Sequence, residues 1–99
     1  MEIKKTAVAG TLESSDCMVT IEPSAKGLEL DLESAVIRQY GKRIAEVAME
    51  TLGRLGVENA RVSIVDKGAL DCTIKARVEC AVMRSAEYEG RIGWGGVIK

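Results

Sequence analysis

The spacing of apolar residues changes midway along the chain. Up to Glu33 they recur mostly at every second position, and from Ile37 to Leu55 at every third or fourth. Cys17, Val19 and Ile21 fall on one side of an extended run, with Met18 and Thr20 on the other. Pro23 ends that run, because proline cannot donate to a ladder. Residues 5–10, Lys-Thr-Ala-Val-Ala-Gly, form a shorter strand before it and suit a sheet edge. Between the two runs lies a polar break, Thr11-Leu12-Glu13-Ser14-Ser15-Asp16, which reads as the tip of a hairpin. Leu28, Leu30 and Leu32 alternate with Glu29 and Asp31, so a third strand is half-buried with one solvated face. Ser24-Ala25-Lys26-Gly27 supplies turn chemistry before it, and the first third of the chain reads as a three-stranded antiparallel meander.

Ile37, Tyr40, Ile44, Val47, Ala48, Leu52 and Leu55 then trace one stripe of an amphipathic helix, with Arg38, Lys42, Arg43, Glu46 and Glu50 opposite. Ser34 or Glu33 is its expected start and Gly56 its stop. Gly41 within it costs about 1 kcal/mol relative to alanine, which a close approach to the sheet would explain. Residues 60–65, rich in β-branched side chains, form a fourth strand, broken by Asp66-Lys67-Gly68-Ala69. Residues 70–86 fit strand alternation, but Leu70, Ile74, Val78, Ala81, Val82 and Ser85 also share a helical stripe. The segment is much longer than a strand of about 5–6 residues and is rich in helix formers, so helix is expected and a hairpin is the alternative. The expected fold is α+β: a four-stranded, mostly antiparallel sheet with two helices on one face, in the order β-β-β-α-β-α. Residues 1–87 make one domain. Residues 88–99, with Gly90, Gly93, Gly95 and Gly96 around Trp94, read as a flexible C-terminal tail.

Composition narrows the chemistry. Fourteen basic and fifteen acidic side chains leave a net charge of −1, no footprint for nucleic acid or an anionic membrane. The only aromatic residues are Tyr40, Tyr88 and Trp94, too few for a base-stacking platform. No apolar run approaches the length of a membrane span and no signal segment is visible, so a cytoplasmic location is expected. Histidine is absent, which removes the commonest general base and metal ligand. Cys17, Cys72 and Cys80 lack the spacing of a zinc site and read as buried small hydrophobes. Glu13 and Asp16 flank the serines of the polar break. At a hairpin tip, without a walled pocket, they read as turn solvation, Asp16 capping local amides, rather than as a catalytic carboxylate pair. Nothing near Ser14 or Ser15 could activate a hydroxyl as a nucleophile, but an exposed serine can still accept a group when another enzyme supplies the base. From composition and pattern alone, an unmodified protein-interaction module using the helix face and Trp94 is the first-ranked reading.

Two stretches add a resemblance. Ala7-Val8-Ala9-Gly10-Thr11-Leu12-Glu13-Ser14-Ser15-Asp16 resembles the prosthetic-group attachment region of the citrate lyase acyl carrier proteins, the gamma subunits of citrate lyase. Asp66-Lys67-Gly68-Ala69-Leu70-Asp71-Cys72 resembles that family's second signature, and the likeness extends to about Ala86. The resemblance implies a non-catalytic carrier in which Ser14, rather than Ser15, holds phosphoribosyl-dephospho-coenzyme A through a phosphodiester. It implies alpha and beta subunits that exchange and cleave the acyl thioester, with a divalent metal at the beta subunit. It also implies a transferase that attaches the group and a ligase that acetylates it. A delta-type carrier of malonate decarboxylase is the related alternative, and the 66–72 stretch favours citrate lyase.

Overall fold

The computed structural model describes residues 2–34 and 37–86. Its elements are β1 (Ala7–Gly10), β2 (Cys17–Pro23), β3 (Leu28–Ser34), α1 (Ile37–Arg54), β4 (Ala60–Asp66) and α2 (Asp71–Ser85), the expected order. The four strands form one sheet in the order β1-β2-β4-β3. β1 and β2 pair antiparallel, with Ala9 opposite Val19, and form the anticipated hairpin. β2 and β4 also pair antiparallel, with Val19 opposite Ile64.

The meander is incorrect in its third strand. β3 does not pair with β2; it lies parallel to β4, with Leu30 opposite Val62. β4 takes the place between them, and the reason is burial. Ala60, Val62, Ile64 and Asp66 are almost wholly enclosed, which suits a central strand. In β3 the leucines are only half-buried, and Glu29, Asp31 and Glu33 face solvent, which suits an edge. α1 is then the crossover, and a parallel pair requires a connection of at least about a dozen residues.

The start of α1 also differs from the expectation. Glu33 and Ser34 are the last residues of β3, opposite Val65 and Asp66, rather than helix caps. Ser34 Oγ donates to Asp66 Oδ2 at 2.9 Å, which holds the end of the strand in the ladder. At the other end Gly56 has φ of 72°, the left-handed conformation of a helix stop. Ile44, Val47, Ala48 and Leu52 are buried as the stripe requires, but Tyr40 is 56% exposed. Gly41 is buried, as a close-packed helix position would be.

The last segment is a helix, not a hairpin. Ile74, Val78, Ala81, Val82 and Ser85 of α2 are buried, whereas Leu70 stands just outside the helix and is 69% exposed. Both helices cover the sheet face formed by Ala9, Cys17, Val19, Ile21, Val62 and Ile64, which join them in one apolar core. Arg43–Asp71 at 2.9 Å and Arg54–Glu79 at 3.2 Å link the two helices along their exposed sides. Among the described residues no helix is long and apolar enough to cross a membrane. The expected tail, residues 88–99 with Trp94, lies outside the described residues.

Candidate functional site

The polar break projects from the tip of the β1–β2 hairpin and follows Gly10, the last residue of β1. Gly10 has φ of +98°, and a side chain there would collide with the Cys17 carbonyl oxygen. Glycine therefore lets the chain turn tightly over the first residue of β2. Thr11 N–H closes the turn by donating to Cys17 O at 3.2 Å.

Asp16 organises the loop from its other end. Its Oδ1 accepts from Cys17 N–H at 2.7 Å and its Oδ2 from Thr11 Oγ1 at 2.7 Å, so the local capping expected of it is present. Thr11 Oγ1 in turn accepts from Glu13 N–H at 3.2 Å, and Asp16 N–H donates to Glu13 O at 3.2 Å. Asp16 has a further partner from far along the chain. Arg77, on α2, grips the carboxylate with both prongs of its guanidinium, Nε to Oδ1 at 3.0 Å and Nη2 to Oδ2 at 2.9 Å. The hydrogen bonds from Arg77, then those from Thr11 and Cys17, hold the Asp16 carboxyl well below the usual carboxylate range. Asp16 is therefore a fixed anion, not a proton donor or acceptor near neutral pH.

The second signature stretch packs directly against this loop. Ser15 N–H donates to Lys67 O at 2.8 Å, and Lys67 N–H donates to Asp16 O at 2.9 Å. This two-bond ladder extends the β2–β4 pairing by one step and sets Ser15 at φ of 63°. The 66–70 loop is itself shaped by Asp66, whose buried carboxylate accepts from Gly68 N–H at 3.1 Å and Ala69 N–H at 2.9 Å as well as from Ser34. The two stretches that carry the family resemblance, about fifty residues apart in sequence, thus form one structural unit.

Ser14 stands at the apex of the braced loop. It is exposed and makes no hydrogen bond to any described residue, while Thr11, Glu13, Ser15 and Asp16 around it are all tied down. Glu13 is exposed as well, and with Asp16 neutralised by Arg77 the loop offers no paired carboxylates for acid–base work. The three cysteines do not behave alike. Cys17 is wholly buried beneath the loop, and burial with the nearby Asp16 and Asp66 carboxylates pushes its thiol up to about 11. Cys80 is half-buried, but Cys72 is exposed in the first turn of α2, which corrects the expectation that all three are interior. Sequence reasoning missed Arg77, Thr11 and Asp66. Arg77 lies among other charged residues of α2 and has no local signal pointing to Asp16. Asp66 was visible as a strand breaker, but not as a buried carboxylate.

A family model described as malonate decarboxylase delta subunit (MdcD), an acyl carrier protein model, matches residues 4–85. That match sets the class: an acyl carrier protein built on a sheet and two helices. The citrate lyase acyl carrier protein of Escherichia fergusonii is 57% identical over 98 residues, 98% of this chain and 100% of the relative. Those of Streptococcus mutans and Clostridium perfringens are 59% and 53% identical, over 90% and 96% of this chain and 88% and 94% of theirs. The chain belongs to the citrate lyase acyl carrier protein family. A solved Pseudomonas malonate decarboxylase hetero-tetramer in complex with malonate contains a chain of similar fold, with a TM-score of 0.68 and 23% identity. The likeness covers 82% of this chain and 84% of that one, and it is a likeness of fold alone.

Proposed function

We propose that the chain is the non-catalytic carrier subunit of a citrate lyase complex and that Ser14 is its covalent attachment point. The observation that supports this most is the state of Ser14: exposed, without a hydrogen-bond partner among the described residues, and set on a loop in which Thr11, Glu13, Ser15 and Asp16 are held. Such a hydroxyl can enter another enzyme's active site and lose its proton to that enzyme's base. Ser15 differs in having its backbone committed to the ladder with Lys67, and the family resemblance favours Ser14 over it.

The attached group is phosphoribosyl-dephospho-coenzyme A, joined through a phosphodiester to Ser14 Oγ. It supplies a thiol on which an acyl group is held as a thioester. The chain's own residues perform a mechanical task. Asp16, Arg77 and Thr11 fix the loop, Lys67 ties it to the domain, and Ser14 is left to the solvent. The partners are the alpha and beta subunits, which act on the acyl group, the transferase that loads Ser14 and the ligase that acetylates the thiol. Tethering raises the effective concentration of the acyl group at each partner's site, toward the millimolar range for a short flexible link. Residues 1–87 form the carrier domain, and the complex works in the cytoplasm.

Sequence identities of 52–59% favour citrate lyase over malonate decarboxylase. The test is the loaded, acetylated chain assembled with alpha and beta subunits. Citrate is cleaved and malonate is not; turnover of malonate instead assigns the chain to the other complex. Replacing Ser14 by alanine abolishes both the mass gain with transferase and the turnover of citrate.

A further inference from the structure

A cleft of about 470 Å³ opens between the two helices, lined by Tyr40, Arg43 and Ile44 of α1 and by Gly68, Ala69 and Leu70 ahead of α2, with Asp66 and Asp71. Its size lies within the roughly 300–1,000 Å³ of small-ligand pockets. Leu70 is 69% exposed and Tyr40 56% exposed at this cleft, leaving two large side chains free to meet a ligand. At the rim Arg43 and Asp71 form an ion pair at 2.9 Å, both side chains more than half exposed. The lining is thus mostly apolar, with the buried Asp66 carboxylate, already bonded to the 66–70 loop, and an exposed donor and acceptor in Arg43 and Asp71.

The same short loop that lines the cleft also braces the attachment loop. Lys67 is hydrogen-bonded to Ser15 and Asp16, and Leu70 is three residues further on, at most about 11 Å along the backbone. The proposed phosphoribosyl unit joins the serine, so the adenosine follows directly after it, at the end of the arm nearest the domain.

We infer that the adenosine part of the Ser14-linked arm folds back into this cleft, with the base against Leu70 and Tyr40 and its polar edge toward Arg43 and Asp71. This inference rests on the Ser14 reading. A flat base with apolar faces and a hydrogen-bonding edge matches the lining. Docking the nucleotide there shortens the free part of the arm to its thiol-bearing end and narrows the volume that end explores.

Amide and side-chain NMR spectra of the ¹⁵N,¹³C-labelled chain, before and after loading by the transferase, test it. Intact mass confirms the loading. The expected result is resonance shifts at Tyr40 and Ile44, on a helix with no hydrogen bond to the attachment loop among the described residues, and cross-relaxation between adenine ring protons and the Leu70 methyls. In Leu70→Asp, an exposed position whose change leaves the core intact, the shifts at Tyr40 and Ile44 are lost and the changes withdraw to residues 11–16 and Lys67. A loaded wild-type chain whose changes stop at residues 11–16 and Lys67 overturns the inference alone. A chain that gains no mass at all overturns the Ser14 reading and the inference with it.

Discussion

Arg77 and Asp16, 61 residues apart, meet in a two-pronged ion pair with both nitrogen–oxygen distances at 2.9–3.0 Å. The pair ties the helix-borne half of the domain to the tip of its hairpin. Arginine suits this role because its planar fork matches a carboxylate, which a lysine ammonium cannot do. Arg77→Met should leave the fold in place but release the loop. Loading of Ser14 by the transferase should then slow by roughly tenfold or more, since small misplacements of a reacting group are costly. Arg77→Lys should recover part of that rate. Loading at the wild-type rate in Arg77→Met would show that the brace is irrelevant to presentation.

The same pair sets an acid limit. Hydrogen bonds from Arg77, Thr11 and Cys17 lower the Asp16 carboxyl in the folded chain relative to an unfolded value near 4. A depressed folded value means that the stabilisation is fully present above about pH 4–5 and drains away as pH falls toward the folded value. The urea midpoint should therefore drop more between pH 6 and pH 3 in wild type than in Asp16→Asn. Equal drops would remove Asp16 from the acid response.

The glycines separate steric need from simple chain economy. Gly10→Ala combines positive φ with a collision against the Cys17 carbonyl, and should cost on the order of 1–3 kcal/mol in urea unfolding. Gly53, in the last turns of α1, meets nothing within 4 Å of a built side chain. Gly53→Ala should instead stabilise by roughly 0.4–1 kcal/mol.

The cysteines should react in order of exposure. Near pH 8 an alkylating reagent should label Cys72 first. Cys17, buried and pushed up to about 11, should stay unlabelled until the chain unfolds. Early labelling of Cys17 would show that the hairpin base opens readily.

Much of this was legible in the sequence. Period-two alternation located β2 and β3 and the 3.6 period α1, while β-branched or small-residue content placed β4 and β1 and segment length with helix formers decided α2. The polar break between two strands stood out with both its serines, and the family resemblance chose Ser14 over Ser15. The position of β3 was not legible, because alternation shows that a strand is half-buried and says nothing about its neighbour. Which strand takes the centre was decided by competition for burial, and Val62 and Ile64 won over Leu28, Leu30 and Leu32. The Arg77–Asp16 pair was hidden for a related reason: a charged residue on a helix looks the same whether it faces water or a carboxylate. The role of the 66–70 loop became visible only once its carbonyl and amide at Lys67 were seen to complete the ladder under Ser15 and Asp16.

The most direct test of the account is to locate the group on the loaded chain. Native protein, or protein treated with the transferase, is digested, and the peptide spanning residues 6–26 is fragmented in a mass spectrometer. The account predicts a single coenzyme-sized phosphodiester adduct on Ser14, absent in Ser14→Ala and retained in Ser15→Ala. An adduct on Ser15 or elsewhere, or a wild-type chain that never exceeds its bare mass when transferase is present, would contradict it.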